Sequence, residues 1–146
     1  MTATLLADGV PVPDLFAVVA DLGTYPRWLD IVGRAEPAPP ADGDPGPAWT
    51  VDLRGQIGPL RRSKRLRMVR SRNEPDRAVT FERRELDGRQ HSPWVLDATL
   101  GADGTAGVLT MRLHYGGSMW VPLLDRLLAD EIERSRPRLV AEVVGG

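Results

Sequence analysis

The chain has 146 residues and a mass of 16.0 kDa, the size of one ordinary domain with enough length to bury a core. Hydrophobic residues make up 42% and charged residues 27%, which sets aside a disordered tail and a membrane-embedded chain. The 20 acids against 19 bases weigh against general nucleic-acid binding, and the lack of cysteine removes disulfides, thiolate nucleophiles and cysteine-based metal sites.

Thr2 to Ala7 is β-prone. Val12-Pro13-Asp14 predicts a helix start, because proline fits the first turn and an acid there meets the positive end of the helix. Leu15, Phe16, Val18 and Val19 supply its apolar face. Thr24 is placed to cap a second short helix through Trp28 and Leu29. Residues 36–48 hold prolines at 37, 39, 40, 45 and 47 and read as a loop.

From Trp49 the apolar period becomes two. Val51 and Leu53, then Leu66 and Met68, then Val79 and Phe81, then Trp94, Leu96, Ala98 and Leu100, then Leu109, Met111, Leu113 and Tyr115 each share a phase. Turn residues separate these five runs, which predicts an antiparallel meander with one buried face. A long helix is expected from Trp120 to Val144, with Val121, Leu124, Leu128, Ile132, Leu139 and Val143 on one stripe. Arg126, Asp130 and Arg134 fall on its far face, and Pro137 should kink it.

The element order, together with Asp21-Leu22-Gly23-Thr24-Tyr25-Pro26-Arg27-Trp28 at the helix junction, resembles the SRPBCC superfamily. This is the START-like, polyketide-cyclase-like group. The resemblance spans the whole chain as a single domain, 1–146. It implies an α+β helix-grip fold, in which a curved antiparallel sheet wraps a long C-terminal helix beside two short helices. The group includes ligand carriers, aromatases and cyclases, lipid-transfer domains and co-chaperones, so fold alone does not choose among them. No catalytic role passes to Tyr25, Pro26 or Trp28, whose expected work is packing.

A concave sheet covered by one helix, with aromatics at 5%, is expected to leave an apolar cavity. Its mouth is placed near Gly55–Leu60, Leu86–Gln90 and Gly116–Trp120, where the resemblance also puts ligand entry. Parity and turn length set Lys64, Glu85, Ser92 and Tyr115 in one inward row at this mouth. Leu66, Arg83, Trp94 and Leu113 form the next row, and Met68, Phe81, Leu96 and Met111 the floor.

Glu85 and Tyr115 are the catalytic candidates, as proton acceptor and as donor to a ligand carbonyl. Candidate ligand contacts are Arg62, Lys64, Met68, Phe81, Arg83, Ser92, Trp94, Leu96, Met111, Leu113 and Trp120. Each has a plain structural counterpart. Lys64 and Glu85 can brace neighbouring strands as a salt bridge. Arg83 can snorkel past Trp94, and both tryptophans can be core aromatics.

Residues 61–72 carry seven bases and no acid, which reads as a solvated strand face matched by Glu74, Asp76, Glu82 and Glu85 rather than a nucleic-acid patch. His91 and His114 are the only histidines and make a poor metal site, so no metal or cofactor is expected. The N-terminus lacks a basic leader and no apolar run reaches transmembrane length, which gives an expectation of a cytoplasmic protein without membrane insertion. Eighteen arginines against the lone Lys64 suggest a GC-rich bacterial genome. The expected function is binding of a small, largely hydrophobic molecule in the cavity. The alternatives are a cofactor-free polyketide cyclase or dehydrase (aromatase) and a protein-interaction module.

Overall fold

Alternating apolar residues drive seven strands into one antiparallel sheet. A computed structural model describes residues 2–8, 10–57, 60–104, 106–115 and 130–145, with backbone alone at 2–8, 55–57, 60–63, 103, 106 and 115. In chain order these residues form β1 (Thr2–Asp8), α1 (Val12–Val19), a 3-10 helix (Leu22–Arg27), β2 (Val32–Ala38), β3 (Ala48–Ile57), β4 (Leu60–Glu74), β5 (Ala78–Arg83), β6 (Trp94–Asp103), β7 (Ala106–Tyr115) and α2 (Arg136–Gly145). The sheet order is β1-β7-β6-β5-β4-β3-β2. β2 to β7 are therefore a continuous meander, and β1 adds at its far edge. The helical segment between β1 and β2 carries the chain from one edge of the sheet to the other.

Four local expectations are corrected. The proline loop is shorter than its composition suggests, because Glu36, Pro37 and Ala38 belong to β2, whose Pro37 faces Trp49 of β3. β2 is an edge strand, where a missing N–H is tolerated. The second helix is 3-10, and its cap is Asp21, whose carboxylate accepts from the Gly23 N–H at 2.9 Å. Thr24 instead donates to the Val18 and Asp21 carbonyls. The C-terminal helix is interrupted at Ser135, after helical residues 130–134, and Pro137 sits in the first turn of α2. There its missing N–H costs little. Arg134 pairs with Glu131 at 2.8 Å, one turn back, rather than with Asp130.

Register differs at two of the three pairings that define the inner rows. Phe81 lies opposite Leu96 as expected. However, Met68 faces Arg83 rather than Phe81, and Leu96 faces Leu113 rather than Met111. Each is a slip of two residues, which preserves the face. The β4–β5 slip comes with a bulge between Arg70 and Arg72. The β6–β7 slip arises because the strands run on to Asp103 and Ala106, moving the turn by one residue.

The inner face carries most of the core. Tyr25, Trp28, Phe81, Leu66, Leu109 and Met111 are fully buried on or against it. Tyr25 packs on Trp28 with tilted rings at 4.6 Å and meets Phe81 edge-on at 6.1 Å, while Phe81 meets Trp49 edge-on at 5.6 Å. Leu15, Phe16 and Val19 of α1 and Leu139 of α2 join the same cluster. Arg27 and Arg138 pair with Glu142 and Asp30 and tie α2 to the 3-10 helix and the turn after it. Val121, Leu124, Arg126 and Leu128 of the expected helix lie outside the described residues.

On the outer face the loop 39–47 folds over β4. Arg67, 8% exposed, donates to both Asp44 carboxylate oxygens, to the Pro39 carbonyl and to the Arg84 carbonyl. Gly46 is required at the closest approach, since a Cβ there would stand 2.4 Å from the Arg70 carbonyl oxygen.

Candidate functional site

The space between the inner face and the helices is a cavity of about 70 Å³. β3 gives it Val51 and Leu53, β4 gives Leu66 and Met68, β6 gives Trp94 and Leu96, and β7 gives Met111 and Leu113. The other wall is Leu22, Tyr25, Leu29, Ile31 and Val32, with Ile132 from the C-terminal helical residues. Every one of these lining groups is an apolar side chain except the Tyr25 phenol. Its hydroxyl is spent on the Val19 carbonyl at 2.8 Å, and burial, aided by the Asp21 charge, pushes its pKa far above the ordinary phenol range. Met68 and Met111 add adaptable, unbranched side chains to the lining.

Of the residues singled out from sequence, Met68, Trp94, Leu96, Met111 and Leu113 meet at this cavity. Phe81 is on the inner face but does not line it, because Tyr25 and Trp49 pack against its ring. The anticipated polar row does not assemble as drawn. Lys64 lies opposite Leu53 and Tyr115 opposite Trp94, while Glu85 follows the end of β5 and Ser92 precedes the start of β6. Arg62 pairs with Gly55 along the backbone, and the side chains of Arg62 and Tyr115 lie outside the described residues. Trp120 lies outside them altogether, as does the Gly116–Trp120 part of the expected mouth.

The wall from Leu22 to Val32 is the part that sequence reasoning missed. Its signal was present: Leu22, Tyr25, Leu29 and Val32 recur at steps of three and four, which places them on one side of a helical stretch.

Glu85 has a structural task. Arg84 donates its N–H to the Arg67 carbonyl at 2.9 Å, but the Arg67 N–H finds Glu85 Oε1 at 3.0 Å. The carboxylate thus completes the strand pairing where β5 ends. The same oxygen accepts from Arg83 Nε at 3.0 Å. Arg83 is almost covered and also reaches the Ser92 carbonyl at 3.3 Å and His91 Nδ1 at 3.3 Å. His91 Nε2 lies 2.9 Å from Asp87, and a proton on Nε2 satisfies both neighbours. The Arg89 N–H, and then His91, hold the Asp87 carboxyl below its usual value. The expected Lys64–Glu85 pair is therefore replaced by Arg83–Glu85. Lys64 instead places Nζ over the Trp94 ring, 5.8 Å from its centroid.

The basic strand is largely matched by acids. Arg65 pairs with Asp52, Arg67 with Asp44, and Arg72 with Glu74. Glu82 is taken by Arg84. His91 belongs to the loop before β6, and His114 is an exposed residue of β7. Among the described residues no three His, Asp or Glu side chains converge as metal ligands. No helix among them is long and apolar enough to cross a membrane.

No protein-family model and no curated protein sequence matches the chain. Solved structures do. A START superfamily protein from Mycobacterium smegmatis superposes with a TM-score of 0.69 at 14% identity, covering 99% of this chain and 97% of that one. Ara h 8.0201 superposes at 0.62 with 11% identity, over 100% and 99% of the two chains. The di-domain ARO/CYC StfQ from the steffimycin biosynthetic pathway gives 0.66 at 15% identity, the whole of this chain matching 51% of that one. These likenesses show the fold: the chain has the helix-grip fold shared by the three structures.

Proposed function

We propose that the chain binds a small, largely hydrophobic molecule in the cavity between the inner face of the sheet and its helical cover. The observation that carries this reading is the lining: side chains from five strands, the 3-10 helix, the turn after it and Ile132 converge on one apolar space. Met68, Trp94, Leu96, Met111 and Leu113 are the proposed contacts. The volume of about 70 Å³ lies well under the ~300 Å³ of the smaller drug-sized sites, so the ligand is slender or the two methionines move to admit it. An open apolar cavity also favours a ligand over the protein-interaction reading. Native mass spectrometry of protein purified from its own host tests this. A small molecule released from the folded chain on activation is the expected result, and protein that arrives empty and takes up no apolar compound on soaking counts against it.

A second reading, a cofactor-free cyclase or dehydratase for a polyketide-type substrate, is favoured by the Arg83–Glu85 pair, which follows directly on Glu82, opposite Val95 beside Trp94. In that reading Glu85 takes the proton and Tyr115 donates to a carbonyl. Glu85→Gln abolishes turnover if the protein is such an enzyme, and Tyr115→Phe weakens it with the fold intact. A carrier shows only modest changes in affinity for both.

A further inference from the structure

Inside the cavity no described side chain is free to receive a charged or strongly polar group. Burying a carboxylate there would leave it without partners, at a cost that no apolar contact offsets. A ligand with a polar head must leave that head at the opening. The question is which cation on the inner face can meet it.

Arg83 cannot do so at no loss, because its guanidinium is divided among Glu85, the Ser92 carbonyl and His91. Lys64 is different. It lies directly opposite Leu53, a lining residue, and two positions before Leu66, another, so its side chain leaves the same face. It is exposed, and among the described residues no carboxylate pairs with it. Its ammonium rests over the ring of Trp94, which itself lines the cavity. The one lysine of the chain thus stands where the apolar wall meets water.

We infer that Lys64 reads the head group of the ligand, and that the ligand class is a single-chain aliphatic amphiphile with an anionic head. The tail follows Trp94, Leu96 and Met111 inward, and the slender cross-section suits the narrow space. The head stays at the opening, where it takes the ammonium in place of, or beside, the Trp94 face. The charge of Glu85 is already met by Arg83, so it leaves the anion unopposed. This inference rests on the ligand-binding reading.

Calorimetric titration with octanoate, octan-1-ol and octylamine tests it. Wild-type protein should bind octanoate most tightly and octylamine least. Lys64→Gln should weaken octanoate by about five-fold, the upper end for an exposed ion pair, and Lys64→Arg should restore it. Raising the salt to half-molar should erode the octanoate preference, as screening requires. Octanol affinity should be the same in wild type and Lys64→Gln. Equal loss of octanol and octanoate in Lys64→Gln would mean the lysine only shapes the opening, and overturns the inference. Octanol and octanoate bound equally well by wild type overturns it too, while leaving the cavity reading standing. Binding of none of the three overturns both.

Discussion

Asp44 shows how one residue holds an irregular loop without secondary structure. Hydrogen bonding from Arg67, then from the Ala41 N–H, holds its carboxyl below the ordinary value of 3.8. A carboxylate with a depressed folded pKa contributes stability that is present above the unfolded value and is lost as pH falls through the folded one. Wild-type stability in urea should therefore decline below about pH 4. The Asp44→Asn variant should be less stable at pH 7, because the covered Arg67 loses its counter-charge, and its acid limb should be flatter. Parallel acid limbs in the two proteins would contradict this. Phe81 makes the complementary case in the core. Fully buried between Tyr25 and Trp49, it should cost about 3–5 kcal/mol when replaced by alanine, as measured by equilibrium denaturation. A loss under about 1 kcal/mol would mean that the ring is a loose cavity wall.

At the scale of elements, Pro137 is the informative residue. A proline inside an uninterrupted helix costs about 3 kcal/mol relative to alanine, whereas one in a first turn costs little. The break at Ser135 puts Pro137 in the second situation. The buried Ser135 hydroxyl donates to the Ile132 carbonyl at 2.5 Å, and its N–H is shared between Glu131 and Ile132. Pro137→Ala should therefore change stability by less than about 1 kcal/mol in urea unfolding. A gain near 3 kcal/mol would show that the chain prefers to run straight through this point. The same contrast explains what was legible from sequence. Period-two alternation located β3 to β7 and their inward faces, since parity survives a slip of two residues. It could not locate the Arg70–Arg72 bulge, which has no composition mark of its own, so the rows of Met68 and Arg83 were displaced. Glu85 and Ser92 were assigned to strands that end at Arg83 and begin at Trp94. The composition of 36–38 points to loop, whereas its pairing with β3 at the sheet edge is a tertiary effect that overrides local preference.

At the scale of the molecule, the site is the gap between the inner face of the sheet and the helical residues packed against it. Phe81, Tyr25 and Trp49 fill one part of that gap, and what remains is lined by Leu, Ile, Val, Met, the Tyr25 ring and one half-buried Trp. The five cavity residues named from sequence all lie on strands, where the alternation is strong. The lining from Leu22 to Val32 lies on a 3-10 helix, the turn after it and the first residue of β2, where only the three-and-four spacing of Leu22, Tyr25, Leu29 and Val32 marks it. Glu85 and Arg83 are bound into structural tasks, Glu85 completing the β4 edge and Arg83 fastening the loop before β6. The volume of the cavity, more than its polarity, is what a substitution can change without disturbing these bonds.

Leu96→Trp fills the cavity from near the start of β6 and should cost roughly 1–3 kcal/mol through crowding, so cooperative unfolding should persist. Calorimetric titration of octan-1-ol into wild type and into this variant measures the central claim directly. Saturable binding of one molecule per wild-type chain, weakened at least about ten-fold in folded Leu96→Trp, is the predicted result. Binding of equal strength in the two proteins would contradict it, because the ligand would then lie somewhere other than between the sheet and its helices.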